Sequence, residues 1–136
     1  MQTATVKWIG GEQFLGITPS RHTVAFDSNR EQNAAPGPME MLLVALGACT
    51  ATDVVSILEK KRQKLEGLEI VVSGERASEP PKVWTKIEMI YRLRGKLENA
   101  AVKHAIDLSE EKYCSVAAML RKAAKISFHY EILPPE

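Results

Sequence analysis

Cysteine is scarce in this sequence, with two residues in 136. So few thiols exclude a disulfide-stapled secreted scaffold. An excess of charge of one sign is also missing. With 18 basic and 17 acidic residues the formal charge is +1, so no strong field draws the chain onto polyanions, and nucleic-acid binding is not expected. Long hydrophobic runs are absent as well. The most apolar stretch, Met41 to Ala48, is far shorter than the roughly 20 residues that cross a bilayer. The N-terminus, Met1-Gln2-Thr3-Ala4-Thr5-Val6-Lys7-Trp8, lacks the basic start and apolar core of a secretory signal. These absences predict a soluble, cytoplasmic protein with no membrane association. In a reducing cytosol, paired thiols are more often redox-active or catalytic than structural.

Several chemistries drop out for want of their motifs. The two cysteines and His22, His104 and His129 show none of the close spacings of zinc sites, so no metal is expected. There is no Gly-x-Ser-x-Gly elbow and no glycine-rich phosphate loop, which removes serine-triad enzymes and nucleotide hydrolases. No cofactor is expected.

What the chain does have is apolar material, 45% of its residues, enough for one packed core and a single domain over residues 1–136. Residues 2–9 and 13–18 flank Gly10-Gly11 and read as a hairpin. His22–Phe26 follows as a third strand, completing an antiparallel meander. The polar stretch 27–37 reads as a loop. Pro38 is a helix start, since proline at the first helical position lacks only a hydrogen bond that would be orphaned anyway. The helix is expected to run to about Gln63. Its first half is apolar nearly all the way round and is predicted to be buried on most sides. Its basic last turn suits the helix dipole. Strands are predicted over Leu68–Glu75 and Val83–Leu93, helices over residues 99–112 and Val116–Lys125 with Ser115 as N-cap, and a closing strand over Ile126–Leu133. The order of elements predicts an α+β fold.

The two cysteines sit in different settings. Cys49 lies mid-helix among small residues in Leu46-Gly47-Ala48-Cys49-Thr50, which leaves room for another segment or a small ligand at the sulfur. A packing cysteine reads the same way. Cys114 falls at a joint between helices, where a helix N-terminus is expected to lower a thiol's pKa. An ordinary loop cysteine fits there too. Sequence spacing decides nothing about a bond between them, which requires Cα atoms within about 7 Å.

Two stretches carry a resemblance. Pro38-Met39-Glu40-Met41-Leu42-Leu43-Val44-Ala45-Leu46-Gly47-Ala48-Cys49 and Glu111-Lys112-Tyr113-Cys114-Ser115-Val116 resemble the OsmC and Ohr family over essentially the whole chain. In that family a proline opens the central helix, a first cysteine lies eleven residues on, and a second stands near the start of a C-terminal helix. The resemblance implies an OsmC-like α+β fold of antiparallel strands around a long central buried helix, in an intertwined homodimer. It implies a thiol peroxidase that reduces organic hydroperoxides in oxidative-stress defence. Cys49 would be the attacking thiolate, Cys114 would resolve it, and a dithiol or lipoyl-type reductant would close the cycle. The apolar surroundings of Cys49 would favour fatty or aromatic hydroperoxides.

The chain departs from the hydroperoxide-resistance members at two places. There an acidic residue directly follows the helix-opening proline and pairs with an arginine just after an early glycine pair. Here Met39 takes the first position and Glu40 is next, about 180° round the helix from Cys49 at 3.6 residues per turn. Glu40 is therefore a site candidate across a chain fold or a dimer. Glu12-Gln13 stands where the arginine would be, leaving Arg21, Arg30 and Arg76 as substitutes. Asp53, one turn after Cys49, would raise that thiol's pKa or lie on the helix surface. Pro-Met-Glu in place of Pro-Glu resembles the YhfA-like branch. Two other functions compete: a non-catalytic dimeric module holding a small apolar ligand, and a thiol redox sensor.

Overall fold

A computed structural model describes residues 1–136, which form two compact units, Met1–Leu42 and Leu43–Glu136.

The first unit is the meander β1 (Thr5–Gly10), β2 (Gln13–Ile17) and β3 (Thr23–Asp27), antiparallel and in chain order. Gly10 and Gly11 take φ of 110° and 54°, the left-handed backbone that makes glycine the residue for this turn. Trp8 fastens the turn through Nε1 to the Gly11 carbonyl at 2.9 Å. The following loop is organised by Asp27, which is buried and accepts from the backbone N–H of Asn29 and of Ala34. Those two donors hold its carboxyl below the ordinary range.

Helix α1 (Pro38–Lys60) starts at the predicted proline and ends earlier than predicted. Arg62, at φ 57°, turns the chain beyond it. By length and hydropathy the whole helix is long and apolar enough to cross a membrane, although the run Met41 to Ala48 alone is not. It is not buried on most sides as expected. Only Leu46, Thr50, Val54 and Leu58 are fully covered. That four-residue spacing makes a single stripe along one helix face, while Val44 stays 61% exposed.

The second unit packs this stripe into a core. Strands β4 (Lys64–Arg76) and β5 (Trp84–Lys96) pair antiparallel, and β6 (Lys125–Leu133) joins β5 in parallel. A parallel neighbour needs a long crossover, supplied here by α2 (Asn99–Leu108), a π-turn (Ser109–Tyr113) and α3 (Ser115–Leu120). On β5 the alternation Ile87, Met89, Tyr91 and Leu93 sends one face of the strand into the core. Val102, Ala105 and Ile106 of α2 close it. Each large aliphatic side chain buried there contributes about 1.5–3 kcal/mol. Gly47 lets α1 approach β4, because a Cβ at that position would stand 3.3 Å from Val72 Cγ2.

Two helical boundaries differ from expectation. The predicted helix over 99–112 stops at Leu108 and widens into the π-turn, in which Cys114 N bonds the Ser109 carbonyl. The next helix ends at Leu120, since Lys125 is taken by β6. The N-cap of α3 is Cys114, not Ser115.

Candidate functional site

Both thiols belong to the second unit and pack on one core. Cys49 is half-buried on α1, and Cys114 is buried at the joint of the π-turn and α3. Both are free, and Cys49 packs against the core cluster that holds Cys114. As N-cap, Cys114 Sγ accepts from Ala117 N at 3.4 Å. That bond favours the thiolate, as the sequence suggested, but burial outweighs it. The Cys114 thiol is pushed up to about 12, first by burial, then by the Cys49 sulfur and the charge of Glu110. The expectation of a lowered pKa at this position is therefore corrected. Near neutral pH Cys114 is a thiol.

Glu40, the third candidate, belongs to the first unit and has a structural task. Its Oε1 accepts from Gly37 N and from Arg30 Nη1, both at 2.9 Å. A Glu at the third helical position reaching back to the N-cap N–H is half of a capping box. The Gly37 N–H first and Arg30 next hold the Glu40 carboxyl below its ordinary range. Of the three arginines considered, Arg30 is thus the one paired with Glu40, and it also donates to the Asp27 carbonyl. Arg76 instead bonds the Lys82 carbonyl and lies 5.8 Å from the Trp84 ring. No group of three or more potential metal-ligating side chains occurs.

Beside the thiols lies a buried polar chain that sequence reasoning missed. Thr50 Oγ1 bonds both the Tyr91 hydroxyl and Ser109 Oγ at 2.7 Å. Ser109 Oγ is hydrogen-bonded to Asp53 Oδ2 at 2.8 Å, and the Tyr91 hydroxyl to Glu110 Oε1 at 2.5 Å. Asp53 is therefore engaged by Ser109 and is no bare helix-surface aspartate. Arg121 Nη2 donates to the Glu110 carbonyl at 2.6 Å and stands 3.6 Å from Glu110 Oε2. Burial raises the Glu110 pKa against the opposing pull of Tyr91 and Arg121. Burial and the Glu110 bond push the Tyr91 phenol upward as well. The available signals were positional: Thr50 follows Cys49, Glu110 precedes Cys114 by four residues, and Tyr91 interrupts an aliphatic strand face. The π-turn brings Ser109 and Glu110 inward, a role such turns often have at functional sites.

Comparison with known proteins shows the family. The sequence pattern of the OsmC-like protein family matches residues 31–129. Protein YhfA of Escherichia coli (strain K12) is 47% identical over 131 residues, 96% of this chain and 97% of that one. A hypothetical protein from Aquifex aeolicus VF5 superposes with a TM-score of 0.90 at 32% identity, over 100% of this chain and 98% of the other. An organic hydroperoxide resistance protein OsmC from Legionella pneumophila superposes with a TM-score of 0.72 at 14% identity, over 96% of each chain. At that identity the likeness is one of fold alone. The chain belongs to the OsmC-like family, in its YhfA-like branch.

Proposed function

We propose that the protein is a thiol peroxidase that reduces organic hydroperoxides, with Cys49 attacking and Cys114 resolving. The observation that carries this reading is that Cys49 packs against the core cluster containing Cys114 and raises that thiol's pKa. Their inequality supports the division of roles. Cys49 is half-buried, whereas Cys114 is buried and held as a thiol. In the first step the Cys49 thiolate sulfur bonds the distal peroxide oxygen, the O–O bond breaks, and the alkoxide takes a proton to leave as an alcohol. The Cys114 sulfur then bonds Cys49, the S–O bond of the sulfenic acid breaks, and the oxygen leaves as water. A dithiol or lipoyl-type reductant restores both thiols by exchange.

The same reading includes a homodimer working in the cytoplasm. An open apolar groove on the second unit, lined by Leu43, Val44, Ala48, Ala51, Leu68 and Ile70, would be covered by a second copy. In such a dimer the Arg30–Glu40 pair of one copy would be available to the Cys49 of the other. The groove also favours a second reading, a non-catalytic module that holds a small apolar ligand.

Reduced protein treated with excess alkyl hydroperoxide separates the two. The peroxidase should lose both thiols and the mass of two hydrogens. Cys49→Ser should abolish that loss, and Cys114→Ser should divert it to overoxidation or intermolecular disulfide. Unchanged thiols at millimolar peroxide would sink the peroxidase and leave the module.

A further inference from the structure

The polar chain beside the thiols contains one hydrogen too few. It has four hydrogen bonds in series: Asp53 to Ser109, Ser109 to Thr50, Thr50 to Tyr91, and Tyr91 to Glu110. Its three hydroxyls supply three hydrogens, and an ionised carboxylate supplies none. With both carboxylates charged, one bond would set two oxygens face to face at about 2.7 Å in a site where Thr50, Tyr91 and Ser109 are wholly buried. An unmade contact of that kind is costly where solvent cannot repair it. A single carboxylic proton completes all four bonds. It can do so in two mirror-related patterns, one with Glu110 protonated and every hydroxyl donating toward Asp53, the other with Asp53 protonated and every hydroxyl donating toward Glu110.

We propose that Asp53, Ser109, Thr50, Tyr91 and Glu110 form a one-proton switch that controls the reactivity of Cys114 by charging or discharging Glu110. Glu110 and Asp53 act here as positioning residues, through electrostatics. With the proton on Glu110, no negative charge opposes a thiolate at Cys114. With the proton shifted to Asp53, Glu110 is charged and holds Cys114 as a thiol. Burial favours the first state, since a neutral acid loses less on leaving water. The Glu110 carboxyl faces Tyr91 of β5, Asp53 of α1, Arg121 of α3 and Cys114. Asp53 lines an open cleft with Lys60, Lys61 and Tyr113, so that end of the chain reaches solvent.

The inference rests on reading Cys49 and Cys114 as a reacting pair, but needs no peroxide. A chromogenic aromatic disulfide supplies the test. Cys49 bonds one reagent sulfur and releases the first arylthiolate. Cys114 then bonds Cys49, releases the second, and gives its proton to the buffer. Two near-isosteric variants supply the missing hydrogen from opposite ends. In Glu110→Gln the amide donates to Tyr91 and the site beside Cys114 is permanently neutral. In Asp53→Asn the amide donates to Ser109 and Glu110 stays charged. The second release should therefore be faster in Glu110→Gln than in Asp53→Asn by about tenfold, the population change for one pKa unit. Infrared spectra of the wild type at neutral pH should show one buried protonated carboxyl, absent in both variants. Equal second-release rates in the two folded variants, or no such band in the wild type, would overturn the switch. If peroxide leaves the thiols untouched while these results hold, only the peroxidase reading fails.

Discussion

Glu40 and Glu110 each stand beside an arginine, and their surroundings drive them in opposite directions. Glu40 in the first unit is half-exposed, accepts from Gly37 N and Arg30, and is held more acidic than usual. Glu110 in the second unit is buried, has its arginine at 3.6 Å, and is made less acidic. Desolvation decides between them. In water the attraction of an arginine costs little to obtain, so the donors set the balance. In the core the charge itself is the expense, and one phenol with a more distant guanidinium does not cover it. An acid–arginine pair in a sequence therefore has no fixed meaning until its depth is known.

The largest effect that would break this comparison is expected from Tyr91→Phe. It strips Glu110 and Thr50 of a buried partner, and should lower stability by about 1–3 kcal/mol, read from the denaturant midpoint. A neutral result would mean that Glu110 is more solvated than its burial implies.

Next comes the pH dependence of Glu110. Its folded pKa is raised above 4.5, so its contribution is complete below 4.5 and is lost as pH rises through the folded value, where the unfolded chain gives up the proton first. Stability curves of wild type and Glu110→Gln should thus diverge above pH 4.5, with the variant gaining relative to wild type. A constant difference across pH would contradict the raised pKa.

Glu40 has the reverse sign and the smallest effect. Its folded pKa is lowered below 4.5, so its contribution is present above that value and disappears as pH falls through the folded one. Glu40→Gln should flatten only the acid limb of the stability curve. Because Arg30 and Glu40 are both about half exposed, added salt should shrink the difference, whereas the Tyr91→Phe effect should persist. Equal salt sensitivity of the two would erase the contrast in depth.

Much of the fold was legible because it rests on local rules. Gly10-Gly11 marks a turn that needs positive φ, Pro38 opens a helix, and the apolar alternation along β5 announces a strand with one buried face. The pairing of Cys49 with Cys114 was expected only through the family resemblance. The chain between Leu108 and Ser115 was read less well. Helical periodicity continues through Ser109–Tyr113, and nothing local signals that the turn widens to five-residue bonding. Cys114 was misjudged for a related reason. Its place before a helix is visible in sequence, but the burial that overrides the helix effect is not.

The sequence by itself determined most of the elements, their order, the placement of the two thiols, and the family. Each depends on residues near one another along the chain or on a pattern repeated every two or four positions. Only the tertiary structure decided that Thr50, Tyr91 and Ser109 share one hydrogen-bonded chain ending on Asp53 and Glu110. Those residues come from a helix, a strand and a π-turn. The proton count that makes the chain more than packing exists only where their oxygens meet away from water, because there a missing hydrogen cannot be supplied by solvent.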